Sequence, residues 1–136
     1  NIIGIKEATA DLSRVETIRS LCPDDFMLVS GDDATTKEFI LQGGDGVISV
    51  TANVAPRVMH DMCELAKKGD RDAATKIDET LTGLHEHLFI ESNPIPTKWA
   101  LHKMGLIQAG IRLPLTWMTE NSEDVLVKAM KQANVV

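Results

Sequence analysis

The sequence predicts an α/β fold, built from three successive strand–helix units and a helical continuation. Three observations predict it. Short β-branched or wholly apolar runs recur at 2–6, 26–30 and 47–50, and a stretch of helical periodicity follows each one. The connections between them are short, which with buried strands indicates parallel pairing in a sheet or barrel. From about Gly69 onward the strand signals stop and only helical patterns remain.

Taken in order, Ile2, Ile3 and Ile5 suit a buried strand over 2–6. The helix over 12–21 carries Leu12, Val15, Ile18 and Leu21 on one face, with Asp11 as candidate N-cap. Cys22-Pro-Asp-Asp25 breaks the chain before Phe26-Met-Leu-Val-Ser30, an apolar run that fits a parallel strand covered on both faces. A helix over 34–41 follows, with Asp33 as its candidate cap. Gly43-Gly-Asp-Gly46 lies before a strand rather than between a strand and a helix. It therefore reads as a helix C-cap and turn, not as a phosphate loop. Val47-Ile-Ser-Val50 is the third strand, and a helix over 55–68 carries Val58, Met62, Leu65 and Ala66.

A long helix over 70–88 then presents Ala73, Ala74, Ile77, Leu81 and Leu84 as its apolar stripe. Asn93-Pro-Ile-Pro96 is a rigid break, because each proline restricts itself and the residue before it. Helices over 97–104 and 123–133 follow, joined through an extended Leu113-Pro-Leu-Thr116, with Ser122 as a good cap for the last. Three parallel strands cannot close a barrel, which needs about eight. With Asn1 almost inside the first strand and no initiator Met, the chain is expected to be the second half of a larger βα domain plus a helical appendage. Its exposed parallel edges would invite either an N-terminal partner or self-association.

At 136 residues the chain is long enough to bury a real core. It is 43% hydrophobic and 25% charged, with no apolar run near the ~18 residues that would span a bilayer. A net charge of −6 argues against a nucleic-acid surface, which needs a basic face. No basic segment precedes an apolar stretch, so no signal peptide is expected. Cys22 and Cys63 form no CxxC and read as reduced cytosolic thiols.

The candidate chemistry lies at strand ends. Lys6 is a lone cation closing an apolar strand, where desolvation would favour the neutral amine, a nucleophile able to form a Schiff base with a carbonyl compound. The alternative is a lysine that snorkels into water or pairs with Glu7. Ser30-Gly-Asp-Asp33 sits where α/β proteins carry their ligand loops: its glycine would let a ligand approach the backbone, and Asp32 could meet a cation or a donor. The competing reading is a strand-to-helix turn capped by Asp33. Ser49, Thr51 and Asn53 could bind a carboxylate or cap the next helix. His60, His85, His87 and His102 have no metal-binding spacing, so no metal site is expected. The methionines at 59, 62, 104, 118 and 130 suit core gaps, and Trp99 and Trp117 suit burial or an interface.

Four segments, taken together and in this order, closely resemble the dihydrodipicolinate synthase family of pyruvate-dependent class I aldolases, a group that includes N-acetylneuraminate lyase. They are Asn1-Ile-Ile-Gly-Ile-Lys-Glu-Ala-Thr9, Leu28-Val-Ser-Gly-Asp-Asp33, Gly43-Gly-Asp-Gly-Val-Ile-Ser-Val-Thr-Ala-Asn53 and Glu91-Ser-Asn-Pro-Ile-Pro-Thr-Lys-Trp-Ala100. The resemblance covers the whole chain. It implies the C-terminal part of a (β/α)8 TIM barrel, three βα units over 1–69, followed by a small all-α C-terminal domain over 70–136. Lys6 carries over as the catalytic Schiff-base lysine, and Gly31 and Ile48 as substrate-binding positions whose backbones line the pocket.

The implied reaction condenses pyruvate with aspartate semialdehyde to 4-hydroxy-tetrahydrodipicolinate, on the diaminopimelate route to lysine. It uses no cofactor beyond the covalent imine at Lys6. The resemblance further implies a cytoplasmic homotetramer with no nucleic-acid or membrane partner. In this family a tyrosine proton relay, a Gly-Thr-Thr carboxylate clamp, an arginine that guides the semialdehyde and the lysine-feedback site all come from the N-terminal half. This chain contains no tyrosine, so the isolated chain is expected to turn over poorly or not at all. Two other readings remain: an aldolase of the neuraminate-lyase or keto-acid type, and a non-catalytic assembly module.

Overall fold

A computed structural model describes all 136 residues. The chain forms two compact units, Asn1–Ser49 with His60–Asp78, and Val50–Met59 with Glu79–Val136.

The first unit is built on a parallel sheet of order β1-β2-β3, with β1 over Gly4–Glu7, β2 over Met27–Ser30 and β3 over Gly46–Val47. Lys6 lies opposite Val29, Glu7 opposite Ser30, and Ser30 opposite Val47. Successive side chains alternate between the two faces of a strand. Leu28 therefore points to one face, where it is fully buried against Val15 and Phe39. Those two residues come from α1 (Ser13–Leu21) and α2 (Thr36–Leu41). Ile40, Ala66 and Ala74 form a second core, drawing on α3 (Pro56–Lys67) and the first turns of α4 (Arg71–His87).

The opposite face of the sheet is open. Ile2 is 79% exposed, Met27 46% and Ile48 56%. This corrects two expectations, that the first strand is buried and that the second is covered on both faces. A continuous apolar run reports that both faces of a strand are apolar, and it does not say what lies against each. The third strand is also shorter than expected. Its ladder ends with Ile48 N donating to Ser30 O at 2.9 Å, after which the chain enters a single 3-10 turn over Thr51–Asn53.

Polar side chains set the boundaries of the elements. Asp11 Oδ1 accepts from the Ser13 amide at 3.0 Å and hydroxyl at 2.6 Å, so it holds the entry to α1 from just outside the first turn. At α2 the capping carboxylate is Asp32, not Asp33. Asp32 Oδ2 accepts from the Thr35 amide at 2.9 Å and hydroxyl at 2.7 Å, while Asp33 is buried. Gly43, at φ 106°, ends α2 in the left-handed conformation that favours glycine, and the Gly44 amide reaches back to Phe39 O at 3.0 Å. Asp70 Oδ1 accepts from the Ala73 amide at 3.0 Å and caps α4.

The second unit packs the later turns of α4 with α5 (Ile95–Lys103) and α6 (Glu120–Gln132). Leu81, Leu84, Leu88, Leu126 and Met130 are fully buried there. Pro96 is tolerated in the first turn of α5, where its missing N–H would have had no helical partner. Trp99 is buried, and its indole N–H donates to Glu123 Oε1 at 3.2 Å. The residue flanking α6 is Thr119 rather than Ser122. Glu91 Oε1 accepts from the Thr119 amide at 3.0 Å and hydroxyl at 2.7 Å, and the helix begins at Glu120, three residues before the expected Glu123.

Candidate active site

Alternation along β1 decides where its two ionisable residues go. Glu7 turns to the helix-covered face and is buried, while Lys6 turns to the open face and is exposed. The alternative pairing of Lys6 with Glu7 does not form. Glu7 Oε1 instead accepts from Arg14 Nε at 3.0 Å, and both Glu7 oxygens lie 3.2 Å from the Thr9 amide. This bonding fixes the turn that leaves β1. Arg14 stands seven residues after Glu7 and was not singled out in the sequence; the signal available there was a basic residue in the first turn of the next helix.

Lys6 lies in an open hollow of about 410 Å³ on the exposed face, lined among others by Ile2, Gly4, Met27, Val29 and Ile48. Apart from Lys6 and Asn1, its side chains are apolar. The apolar surroundings expected of Lys6 are therefore present, but they form a surface concavity and not an enclosed site. Ile48 and Lys6, 42 positions apart in the chain, share this hollow because β1, β2 and β3 align side by side.

Gly31 adjoins Lys6 directly. A Cβ placed on Gly31 would stand 2.6 Å from Lys6 Cε, 3.1 Å from Lys6 Cγ and 2.6 Å from Ala8 Cβ. The lysine stem thus lies across the bare backbone of residue 31. Both backbone positions marked out beside Lys6 use their amides within the sheet: Gly31 N donates to Glu7 O at 2.7 Å, and Ile48 N to Ser30 O at 2.9 Å. What either backbone can offer a bound molecule is its carbonyl oxygen.

The remaining polar candidates make bonds of their own, away from Lys6. Ser30 Oγ donates to Asp32 O at 2.9 Å, and Thr36 Oγ1 donates to the same oxygen at 2.7 Å. The Ser30–Asp33 loop is thus a self-bonded strand-to-helix turn. Thr51 Oγ1 lies 2.9 Å from His85 Nδ1 in a buried contact, and Asn53 Nδ2 donates to Val50 O at 3.0 Å. His102 Nδ1 lies 3.2 Å from Ile107 O, with its ring edge-on to Trp117. Of the residues named from sequence, the structure brings together Lys6, Gly31 and Ile48, while Thr51 pairs with His85.

Where the chain enters β3 an ion pair ties it to β2 and α1. Asp45 Oδ2 accepts from the Leu28 amide and from Arg19 Nη2, both at 2.7 Å. Desolvation works to raise the Asp45 carboxyl pKa, but the Leu28 amide and the Arg19 guanidinium outweigh it and hold the group below its usual value of 3.8.

A family model for the dihydrodipicolinate synthetase family matches residues 1–133. The 4-hydroxy-tetrahydrodipicolinate synthase of Methylococcus capsulatus is 62% identical over 135 residues, which are 99% of this chain and 46% of that protein. Among solved structures, the chloride-inhibited dihydrodipicolinate synthase of Acinetobacter baumannii, complexed with pyruvate, superposes with a TM-score of 0.95 at 46% identity. That match covers 100% of this chain and 47% of the other. A dihydrodipicolinate synthase variant described as the first monomeric one matches with a TM-score of 0.92 at 36% identity, over 98% of this chain and 46% of its own. The chain spans about half the length of the relatives it matches. Its three βα units and following helices are accordingly the C-terminal part of a (β/α)8 barrel with its helical continuation. By sequence and by structure, the chain belongs to the dihydrodipicolinate synthetase family.

Proposed function

We propose that this chain carries the imine-forming part of a dihydrodipicolinate synthase, with Lys6 as the nucleophile. The observation that carries the reading is the placement of Lys6. It stands on the open face of the sheet near the carboxyl end of β1, in a largely apolar hollow, while the neighbouring carboxylate of Glu7 is taken by Arg14 and the Thr9 amide. The carboxyl ends of barrel strands are where (β/α)8 enzymes place their chemistry. The pyruvate complex of the Acinetobacter baumannii relative supports pyruvate as the keto acid.

In this mechanism the Lys6 amine adds to the ketone carbon of pyruvate. Loss of water breaks the C–O bond and leaves a protonated imine. That cationic nitrogen is an electron sink, so a methyl proton leaves to give an enamine. The enamine carbon bonds to the aldehyde carbon of aspartate semialdehyde. The semialdehyde amino group then adds to the imine carbon and expels the Lys6 amine, closing the ring of 4-hydroxy-tetrahydrodipicolinate.

The carbonyls of Gly31 and Ile48 flank the bound keto acid. No metal or separate cofactor takes part, because the imine itself supplies the electron sink. The proton relay, carboxylate clamp and semialdehyde-guiding arginine come from other parts of the complete barrel, and the 136-residue chain alone turns over poorly. The complete enzyme works in the cytoplasm as a homo-oligomer, a tetramer in the form typical of the family; the monomeric relative shows that assembly varies between members. No helix of this chain is long and apolar enough to cross a membrane.

The test is reduction with borohydride in the presence of pyruvate, followed by peptide mapping. The expected result is a reduced pyruvate adduct on Lys6 and on no other lysine. Absence of that adduct, or its scatter over surface lysines such as Lys76 and Lys128, refutes the assignment. Assaying aspartate semialdehyde beside N-acetylneuraminate separates the synthase from the sugar-acid lyase.

A further inference from the structure

We infer that Gly31 is a positioning residue for Lys6: the space left by its missing side chain is the slot that holds the lysine stem. The inference rests on reading Lys6 as the imine-forming amine, and it gives Gly31 a role distinct from lining the pocket with its backbone. Two ordinary reasons for a glycine fail here. Gly31 is absent from the residues with positive φ, so its backbone is open to any L-residue. Its N–H is spent on Glu7 O at 2.7 Å, so no ligand needs to reach that amide.

What remains is the space above it. A Cβ at residue 31 would overlap Lys6 Cε and Ala8 Cβ, each at 2.6 Å, well inside van der Waals contact. The two obstacles respond differently. Lys6 Cε is near the end of a flexible exposed stem and can swing away at little cost. Ala8 belongs to the turn that Glu7, Thr9 and Arg14 bind together, so it yields less easily. The small side chains at 8 and 31 thus form the floor of a slot along which Lys6 extends, and a methyl group on that floor would move the amine from its station.

The double variant Ala8→Gly/Gly31→Ala isolates the effect, because it removes the Ala8 methyl and leaves only the overlap with the lysine. Its circular dichroism and melting temperature should match those of Ala8→Gly alone. Trapping of pyruvate on Lys6 by borohydride should fall on the order of 10²-fold, the scale of an ångström-sized misplacement of a reacting group. Reductive methylation with ¹³C-formaldehyde gives a second readout that needs no pyruvate, since the dimethyl-Lys6 signal reports the environment of the amine. A displaced Lys6 signal in the double variant, with the other lysines unmoved, supports the slot. Trapping and signal both equal to those of Ala8→Gly overturn it. If the unsubstituted chain forms no adduct but the Lys6 signal still moves, the imine assignment fails and the slot stands.

Discussion

Removing the Asp45 carboxylate should loosen the sheet where the chain enters β3, and the structure gives the size of the effect. Asp45 is the one group that joins the Leu28 amide of β2, at 2.7 Å, to the Arg19 side chain of α1. Arg19 also donates through Nη1 to Phe26 O at 2.7 Å, and through Nε and Nη2 to Gly43 O at 3.0 and 2.7 Å. Asp45→Ala leaves the Leu28 N–H without its acceptor, a cost of ~1–3 kcal/mol when no water replaces it. The ion pair itself adds little: the Asp45 side chain is 47% exposed and that of Arg19 26%, so solvent screening holds it within ~0.2–1 kcal/mol. Asp45→Ala should therefore cost about 2 kcal/mol, and Asp45→Asn, which restores a neutral acceptor for Leu28, less than about 1 kcal/mol. Urea unfolding at neutral pH gives the totals. Hydrogen exchange places the effect, because the Leu28 amide should exchange about thirtyfold faster in Asp45→Ala. The sign of the pH dependence follows from the carboxyl being held below 3.8 in the folded chain. Its stabilisation is present above that value and is lost as the pH falls through the lower folded value, so wild type and Asp45→Asn should converge in acid. Equal losses in the Ala and Asn variants, or unchanged Leu28 exchange, would refute the reasoning.

Two further predictions concern other parts of the molecule. Burial pushes the Cys63 thiol up to about 11, with Glu64 adding to the effect, so iodoacetamide at pH 8 should modify Cys22 well before Cys63. Because the folded value lies above the ordinary 9.0, this thiol's contribution to stability is complete below pH 9 and is lost as the pH rises towards 11; equal labelling of the two cysteines contradicts the assignment. In the second unit, a Cβ on Gly83 would meet Gln132 Oε1 at 2.7 Å and Ala129 Cβ and Cα at 3.0 and 3.2 Å. Gly83→Val should then cost ~1–3 kcal/mol by overpacking α4 against α6, and a variant as stable as wild type would show that the helices can part at that point.

The elements of this fold were legible because their signals are local. Helical periodicity placed α3 and α4 within a residue of their observed bounds, and Pro94 marked the break before α5, which begins at Ile95 and takes Pro96 into its first turn. Two kinds of information were not local. The capping of α2 depends on which of two adjacent aspartates faces the helix end, and only the backbone path after Ser30 selects Asp32 over Asp33. The exposure of Ile2, Met27 and Ile48 depends on what lies beyond the sheet face, which hydrophobicity alone does not record. At the site, Lys6 was identifiable as a lone cation ending an apolar strand. Its release from Glu7 was not, since that follows from strand alternation combined with Arg14 arriving from the next helix.

These points converge on the shortness of the sheet. Each strand has at most four residues, and β3 has two. Few ladder bonds hold the register, and a slip of one residue would exchange the two faces, sending Lys6 toward the helices and Glu7 toward the hollow. The side-chain bonds at both ends of the strands supply the missing specification. Arg19 and Asp45 tie β2 to the chain entering β3, and Arg14 with Glu7 ties the end of β1 to α1. Asp45 directly precedes Gly46, which stands level with Lys6 through Val29, so one register serves both. The Arg19–Asp45 pair therefore supports the register that sets Gly31 beside the lysine stem and Ile48 in the same hollow.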